Sequence, residues 1–277
     1  MRSLKWGRTM AKDERYFAGA GDDDRERARL RLLEECLDPI SRTALLAAGL
    51  KHGSQVLEVG PGAGSMVRWM SGAVSHAGRI TAFDINPRFV TGMKLPNVTV
   101  QVGDIVYPPH GLGPFDIIYA RYVMMHLPDP VAVARSILGL LRPGGTAVII
   151  DPDMRTLRAA DPTHPRAAEF DATTAAGADV LRDAGIMDID FGPKGPVAFE
   201  TAGFEKVVSE GTNWMAYGGS TDARFLRDSL PQVDAAIRAF APNRVLDPSP
   251  VIAAYNDPTF GFFSPVQVVT TGRRPLD

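Results

Sequence analysis

The stretch Gln55-Val-Leu-Glu-Val-Gly-Pro-Gly-Ala-Gly64 constrains this chain more than any other. Val56, Leu57 and Val59 form a short apolar run with β-branched residues, the pattern of a strand covered on both faces. Gly60, Gly62 and Gly64 follow at alternate positions, and without Cβ atoms they permit a tight turn with close approach of a ligand to the backbone. Ser65 is placed to cap a helix through Met70 whose free N–H groups point back over the turn. A strand, a glycine turn and a helix in this order place a nucleotide-like ligand at the edge of a parallel α/β sheet. A dinucleotide fingerprint would need G-x-G-x-x-G, so that a pyrophosphate can rest on the helix N-terminus. Here the spacing is G-x-G-x-G, with Glu58 two residues ahead.

That pattern resembles the first motif of class I S-adenosylmethionine (SAM) methyltransferases, in which the loop passes under the methionine part of the cofactor. The resemblance strengthens down the chain. Arg79-Ile-Thr-Ala-Phe-Asp84 reads as a second strand ending in an acid. At a sheet's carboxyl edge Asp84 can accept both ribose hydroxyls of an adenosine ligand; its alternative role is the N-cap of a helix starting at Asn86-Pro87. Ile85 would lie against the adenine. A third strand over Asn97–Val102 leads to Gly103-Asp104-Ile105, where the family places an Asp on the adenine amino group and an apolar neighbour on the ring. Phe115-Asp-Ile-Ile-Tyr-Ala120 is a fourth strand closing on the small residue Ala120. Arg121-Tyr-Val-Met-Met-His-Leu-Pro-Asp-Pro130, a helix over Val131–Leu141, Arg142-Pro-Gly-Gly145 and a strand over Thr146–Asp151 complete the most specific block.

The resemblance implies a Rossmann-like α/β fold with a seven-stranded, mostly parallel sheet and an antiparallel terminal hairpin. It divides the chain into a flexible N-terminal segment and cofactor lid (1–21), a helical cap (22–50), the SAM-binding core (51–151), a lid and substrate region (152–203) and terminal strands with a helical insertion (204–277). In the cap, Asp22-Asp23-Asp24 opens one helix, and Asp38-Pro39 starts a second that ends at Gly49. Leu30, Leu33 and Leu37 form a stripe suited to core packing or to a homo-oligomer contact. Phe191-Gly-Pro-Lys-Gly-Pro196 reads as loop. Helical segments are expected over Ala167–Ala184, Asp222–Asp228 and Pro231–Ala239, with a last strand at Gln267–Thr271.

The activity implied is in-line transfer of the sulfonium methyl to a small-molecule nucleophile on O, N or C, releasing S-adenosylhomocysteine. Tyr16 is expected to fold over the cofactor. Glu58, Gly60, Gly62, Gly64, Asp84, Ile85, Gly103, Asp104, Ile105, Ala120, Arg121 and His126 form the cofactor-binding set. Arg121 serves either the methionine carboxylate or a neighbouring acid. His126 serves either as general base, since an imidazole can take a proton near neutral pH, or as a loop-orienting group. Tyr122 is a second catalytic candidate. Trp214, Met215, Tyr217, Phe260, Phe262 and Phe263 suggest an apolar, aromatic acceptor or a core. Two other readings stay open: a SAM-binding enzyme that drives a rearrangement or cyclisation without methyl transfer, and a NAD-dependent oxidoreductase.

Composition narrows the partners. The 277 residues carry a formal net charge of −2, with hydrophobic residues at 45%. The absence of a dense basic block disfavours nucleic acid, and no run approaches the ~20 apolar residues of a membrane span. Cys36 is the only cysteine, so no disulfide framework or thiolate metal cluster is expected, and no metal cofactor. A cytoplasmic enzyme follows, with Met1–Thr9 read as a tag remnant or an upstream start.

Overall fold

A computed structural model describes residues 23–276. Its centre is a seven-stranded sheet in the order β3-β2-β1-β4-β5-β10-β7. The strands are β1 (Gln55–Val59), β2 (Arg79–Asp84), β3 (Val98–Val102), β4 (Phe115–Arg121), β5 (Leu141–Asp153), β7 (Glu205–Thr212) and β10 (Val266–Arg273). The first five run parallel, and β10 runs antiparallel to both β5 and β7. Strand order reverses between β1 and β4, the switch point at whose carboxyl side a crevice opens.

β1 is central because it can be covered on both faces: Val56 and Leu57 are fully buried and Val59 is 4% exposed. One layer packs α2 (Ser65–Val74) and part of α1 (Asp23–Ala47) on the sheet through Leu45, Met66, Val67 and Met70. The other packs α3 (Pro130–Leu140) and α5 (Gly195–Ala202) through Ile137, Ala198 and Phe199.

Four expectations are corrected. The cap is one helix, not two: α1 runs through Pro39, because Leu33, Leu37, Ser41 and Leu45 form one buried stripe spanning it. That burial outweighs the hydrogen bond a mid-helix proline removes. Likewise α6 (Thr221–Phe240) continues through Pro231. The segment Phe191–Pro196 is helical, a 3₁₀ turn at Gly192–Lys194 leading into α5; Gly192 is there because a Cβ would lie 2.7 Å from the Asp151 carbonyl oxygen. Fourth, a small antiparallel sheet was not foreseen, made of β6 (Arg158–Ala159), β9 (Gly261–Phe263) and β8 (Met215–Tyr217). With α4 (Ala167–Asp183) and α7 (Ser249–Asn256) it encloses Phe170, Tyr255, Phe260 and Phe262. Strands of two or three residues are too short to show an alternating pattern.

Candidate functional site

The carboxyl ends of β1 to β4 open into one cleft of about 290 Å³, roofed by α1 and α6. The chain from Glu58 to Ala63 forms its floor. Asp84 and Ile85 follow β2, Gly103 to Val106 follow β3, and Arg121 to Pro128 follow β4. Of the twelve described cofactor candidates, ten line this cleft; Gly64 and Ala120 lie behind it. Tyr16 falls outside the described residues.

Gly60 has φ +69°, and a Cβ there would stand 2.6 Å from Val123 Cγ2, so the floor closes against the β4 loop only without a side chain. Asp84 lines the cleft, and its Oδ1 accepts the Asn86 N–H at 2.7 Å; no helix starts at Asn86-Pro87, so this bond closes a turn and the helix-capping alternative is corrected. Burial pushes the Asp84 carboxyl up. Asp104 Oδ1 accepts the Val106 N–H at 2.9 Å, and Gly103 packs edge-on to Phe83, where a Cβ would overlap the ring.

The start of α2 departs from expectation. Ser65 is not the cap; Gly64 takes that position, with φ +89°, and makes no side-chain bond. The Ser65 N–H instead donates to Glu34 Oε1 at 2.9 Å, and its hydroxyl donates to Asp38 Oδ1 at 2.9 Å. Arg121 Nη1 donates to the same Asp38 oxygen at 3.0 Å and to Ser41 Oγ at 3.0 Å. Three carboxyl groups, Glu34, Asp38 and Glu58, thus surround one guanidinium. Glu58 is 3% exposed, and its Oε2 has no hydrogen-bond partner among the described residues. Burial pushes the Glu58 carboxyl up to about 8, and Glu34 is raised for the same reason.

The other end of the cleft is apolar. Leu30 and Leu33 of α1, Met125, Leu127, Met154, Leu181, Met187, Ile189 and Phe225, Leu226 and Val233 of α6 line it. The leucine stripe therefore serves two purposes, the cleft at Leu30 and Leu33 and the core at Leu37. Arg29 is held by both carboxylate oxygens of Glu26, at 2.8 and 2.9 Å, and approaches Ser229 of α6 at 3.4 Å. Tyr122 lines the cleft with φ +56°, and its hydroxyl donates to the buried Gln267 Oε1 at 3.0 Å. His126 ends a 3₁₀ turn, Met124–His126, and lines the cleft. Burial, helped by the charge of Arg29, lowers its imidazole to about 4, so it is neutral at physiological pH. The Cys36 thiol is pushed up to about 12 by burial, which removes it as a nucleophile.

Sequence reasoning missed the contribution of α6 and of 181–189, because polar and apolar lining alternate there without a motif. Of the two roles left open for the aromatic set, core packing holds for Phe260 and Phe262, with Trp214 alongside; Met215 and Tyr217 are exposed, and none of the six lines the cleft. Among the described residues no cluster of three or more His, Cys, Asp or Glu could hold a metal.

A doubly wound sheet with a glycine turn at its switch point and acids after the next two strands defines a nucleoside-binding α/β class. Residues 25–179 match the profile of the methyltransferase domain family, described as "Methyltransferase domain". The chain belongs to that family. It is 32% identical over 133 residues to methyltransferase str2 of Strobilurus tenacellus, covering 47% of each chain. It is 33% identical over 118 residues to a ubiquinone biosynthesis O-methyltransferase of Xanthomonas campestris pv. campestris, covering 40% of this chain and 48% of that one. The matched stretch thus spans about half the length of these relatives. Among solved structures, a candidate methyltransferase of Bacillus halodurans C-125 superposes with a TM-score of 0.53 at 18% identity, covering 84% of this chain and 98% of that one. A chain of the complex between the Haloferax volcanii Trm112 methyltransferase activator and its candidate methyltransferase gives 0.56 at 15% identity, covering 94% and 97%. These two structures share the fold.

Proposed function

We propose that the protein is a SAM-dependent methyltransferase acting on a small, apolar metabolite, with no metal cofactor. The observation that carries this reading is the seat of Glu34 on the N-terminus of α2. In a dinucleotide-binding turn that position receives a phosphate. Here a carboxylate of the chain itself fills it, and the buried Glu58, whose Oε2 has no hydrogen-bond partner among the described residues, adds a second acid nearby. A phosphate would meet repulsion, whereas the ammonium and sulfonium of SAM are cations. The residues therefore suit SAM.

When bound, SAM supplies an electrophilic methyl carbon on a positive sulfur. Glu58 and Glu34 draw the amino acid end into the floor, Asp84 accepts ribose hydroxyls, Asp104 accepts the adenine amino group, and Ile85 and Ile105 cover the base. The apolar walls exclude water from the reacting centre, and the binding geometry sets donor and acceptor in line. Neutral His126 accepts a hydrogen bond from the acceptor and orients it. An imidazole with so low a pKa is a weak base, so positioning is its principal contribution. The relatives named above, one a ubiquinone biosynthesis O-methyltransferase, favour an acceptor of low polarity.

Incubating the protein with methyl-labelled SAM and a panel of phenols, quinols and polyketide-like acceptors tests this. Label passing into an organic-extractable product supports it. Product formed from an acceptor without label would favour the rearrangement or cyclisation reading.

A further inference from the structure

Behind the cleft lies a buried acid bonded to the backbone of one of its walls. Asp151, in β5, is 1% exposed and does not line the cleft. Its Oδ1 accepts the Met125 N–H at 3.2 Å, and the Met124 N–H also reaches the carboxyl. These two N–H groups open the turn that ends at His126. The Met125 carbonyl in turn accepts the Asp188 N–H at 2.7 Å, between the cleft-lining Met187 and Ile189. Two walls of the acceptor side therefore hang on one carboxyl group.

We propose that Asp151 is a positioning residue, which anchors the Met124–His126 turn and, through Met125, the 187–189 wall that faces the acceptor. A buried acid is a costly choice for this unless its contacts need it, since Oδ2 has no hydrogen-bond partner among the described residues. Burial pushes the carboxyl up to about 8, so the group is a neutral acid at pH 7. A neutral acid and a side-chain amide offer the same Oδ1 acceptor. Asparagine should therefore preserve the anchor, and alanine should release it.

The inference rests on the methyltransferase reading, but its test does not need the acceptor. Histidine side-chain resonances are followed by NMR between pH 4 and 8, with His126→Gln used to assign His126. Arg29 of α1 is a charged group that acts on His126, and it is unchanged throughout. S-adenosylhomocysteine affinity is measured on the same samples. In the wild type and in Asp151→Asn, His126 should stay neutral until the acid end of the range. In Asp151→Ala the loosened turn should admit water, moving the midpoint up by a unit or more toward the reference ~6.5. S-adenosylhomocysteine affinity should stay within about threefold, since the floor acids and Asp84 do not hang on Asp151. An unchanged His126 titration in Asp151→Ala, or an equal shift in Asp151→Asn, would overturn the proposal. If the alanine variant does not fold, Asp151→Leu, which fills the volume without an acceptor, takes its place. Absence of S-adenosylhomocysteine binding in the wild type would fail the cofactor reading and leave the Asp151 result standing.

Discussion

Glu34 accepts the backbone N–H of Ser65 at 2.9 Å, at the start of the helix that follows the glycine turn. It comes from a helix 31 positions earlier in the chain, and it satisfies an orphan N–H that would otherwise wait for a ligand. In the proposed reading, a carboxyl group of the chain takes the place that a phosphate would occupy at this helix start. The consequences for binding, pH response and substitution can each be measured.

Glu58→Gln should weaken S-adenosylhomocysteine binding by roughly ten- to a hundredfold, the worth of a hydrogen bond to a charged group at ~1.5–3 kcal/mol. Its pH response is diagnostic. The free carboxyl sits at about 8, and a cationic ligand favours its ionised form. Affinity for S-adenosylhomocysteine should therefore rise with pH up to about 8, with proton release seen in buffers of different ionisation enthalpy. For stability the sign is opposite. The folded chain keeps a proton that the unfolded chain loses above the ordinary carboxylate range, so stability falls as pH rises from about 4.5 to about 8. Glu58→Gln should remove part of that slope in melting curves; Asp151 supplies another part. A variant with unchanged affinity and unchanged slope would show that Glu58 does not face the ligand.

Asp84→Ala should lower affinity by on the order of a hundredfold through loss of the ribose acceptors. Because Oδ1 also holds the Asn86 N–H, a small fall in melting temperature should accompany it. Calorimetry and a thermal melt read the two effects separately. Full affinity with only the thermal loss would leave Asp84 closing the turn alone.

The glycines of the turn should differ. Gly60→Ala puts a Cβ 2.6 Å from Val123 Cγ2 at φ +69°, and both clash and strain oppose it. Gly62→Ala meets nothing nearer than Leu30 Cδ2 at 3.8 Å, so only its φ of +55° resists. Melting temperature and S-adenosylhomocysteine affinity should fall further for Gly60→Ala. The reverse order would mean the floor is shaped by something other than the β4 loop.

His126→Gln should reduce turnover by less than about a hundredfold, below the usual span for a lost general base. The wild-type rate should show no limb near pH 6.5, because the imidazole is already neutral there. A near-inactive variant that binds S-adenosylhomocysteine normally, together with a wild-type limb near 6.5, would restore the base assignment.

Much of this site was legible in the sequence because its parts are local. Glu58, the glycines, Asp84, Gly103-Asp104 and the Arg121–His126 block each lie at or just after the carboxyl end of a strand, and strand ends can be read from periodicity and turn residues. The sheet was legible for the same reason. What lay beyond reach was set by distant pairing. Nothing at Ser65 announces Glu34, nothing at Tyr122 announces Gln267, and the two helix-interior prolines obscured helices that tertiary burial sustains. For the aromatic residues near the carboxyl terminus the sequence left acceptor lining and core packing open, and a second small core claims Trp214, Phe260 and Phe262.

Titration calorimetry of the wild-type protein with S-adenosylhomocysteine and, separately, with NAD⁺ at pH 7.5 tests the central claim most directly. The cleft-lining acids Glu34 and Glu58 predict saturable binding of S-adenosylhomocysteine at one site and no heat from NAD⁺. Tight binding of NAD⁺ with no response to S-adenosylhomocysteine would contradict it.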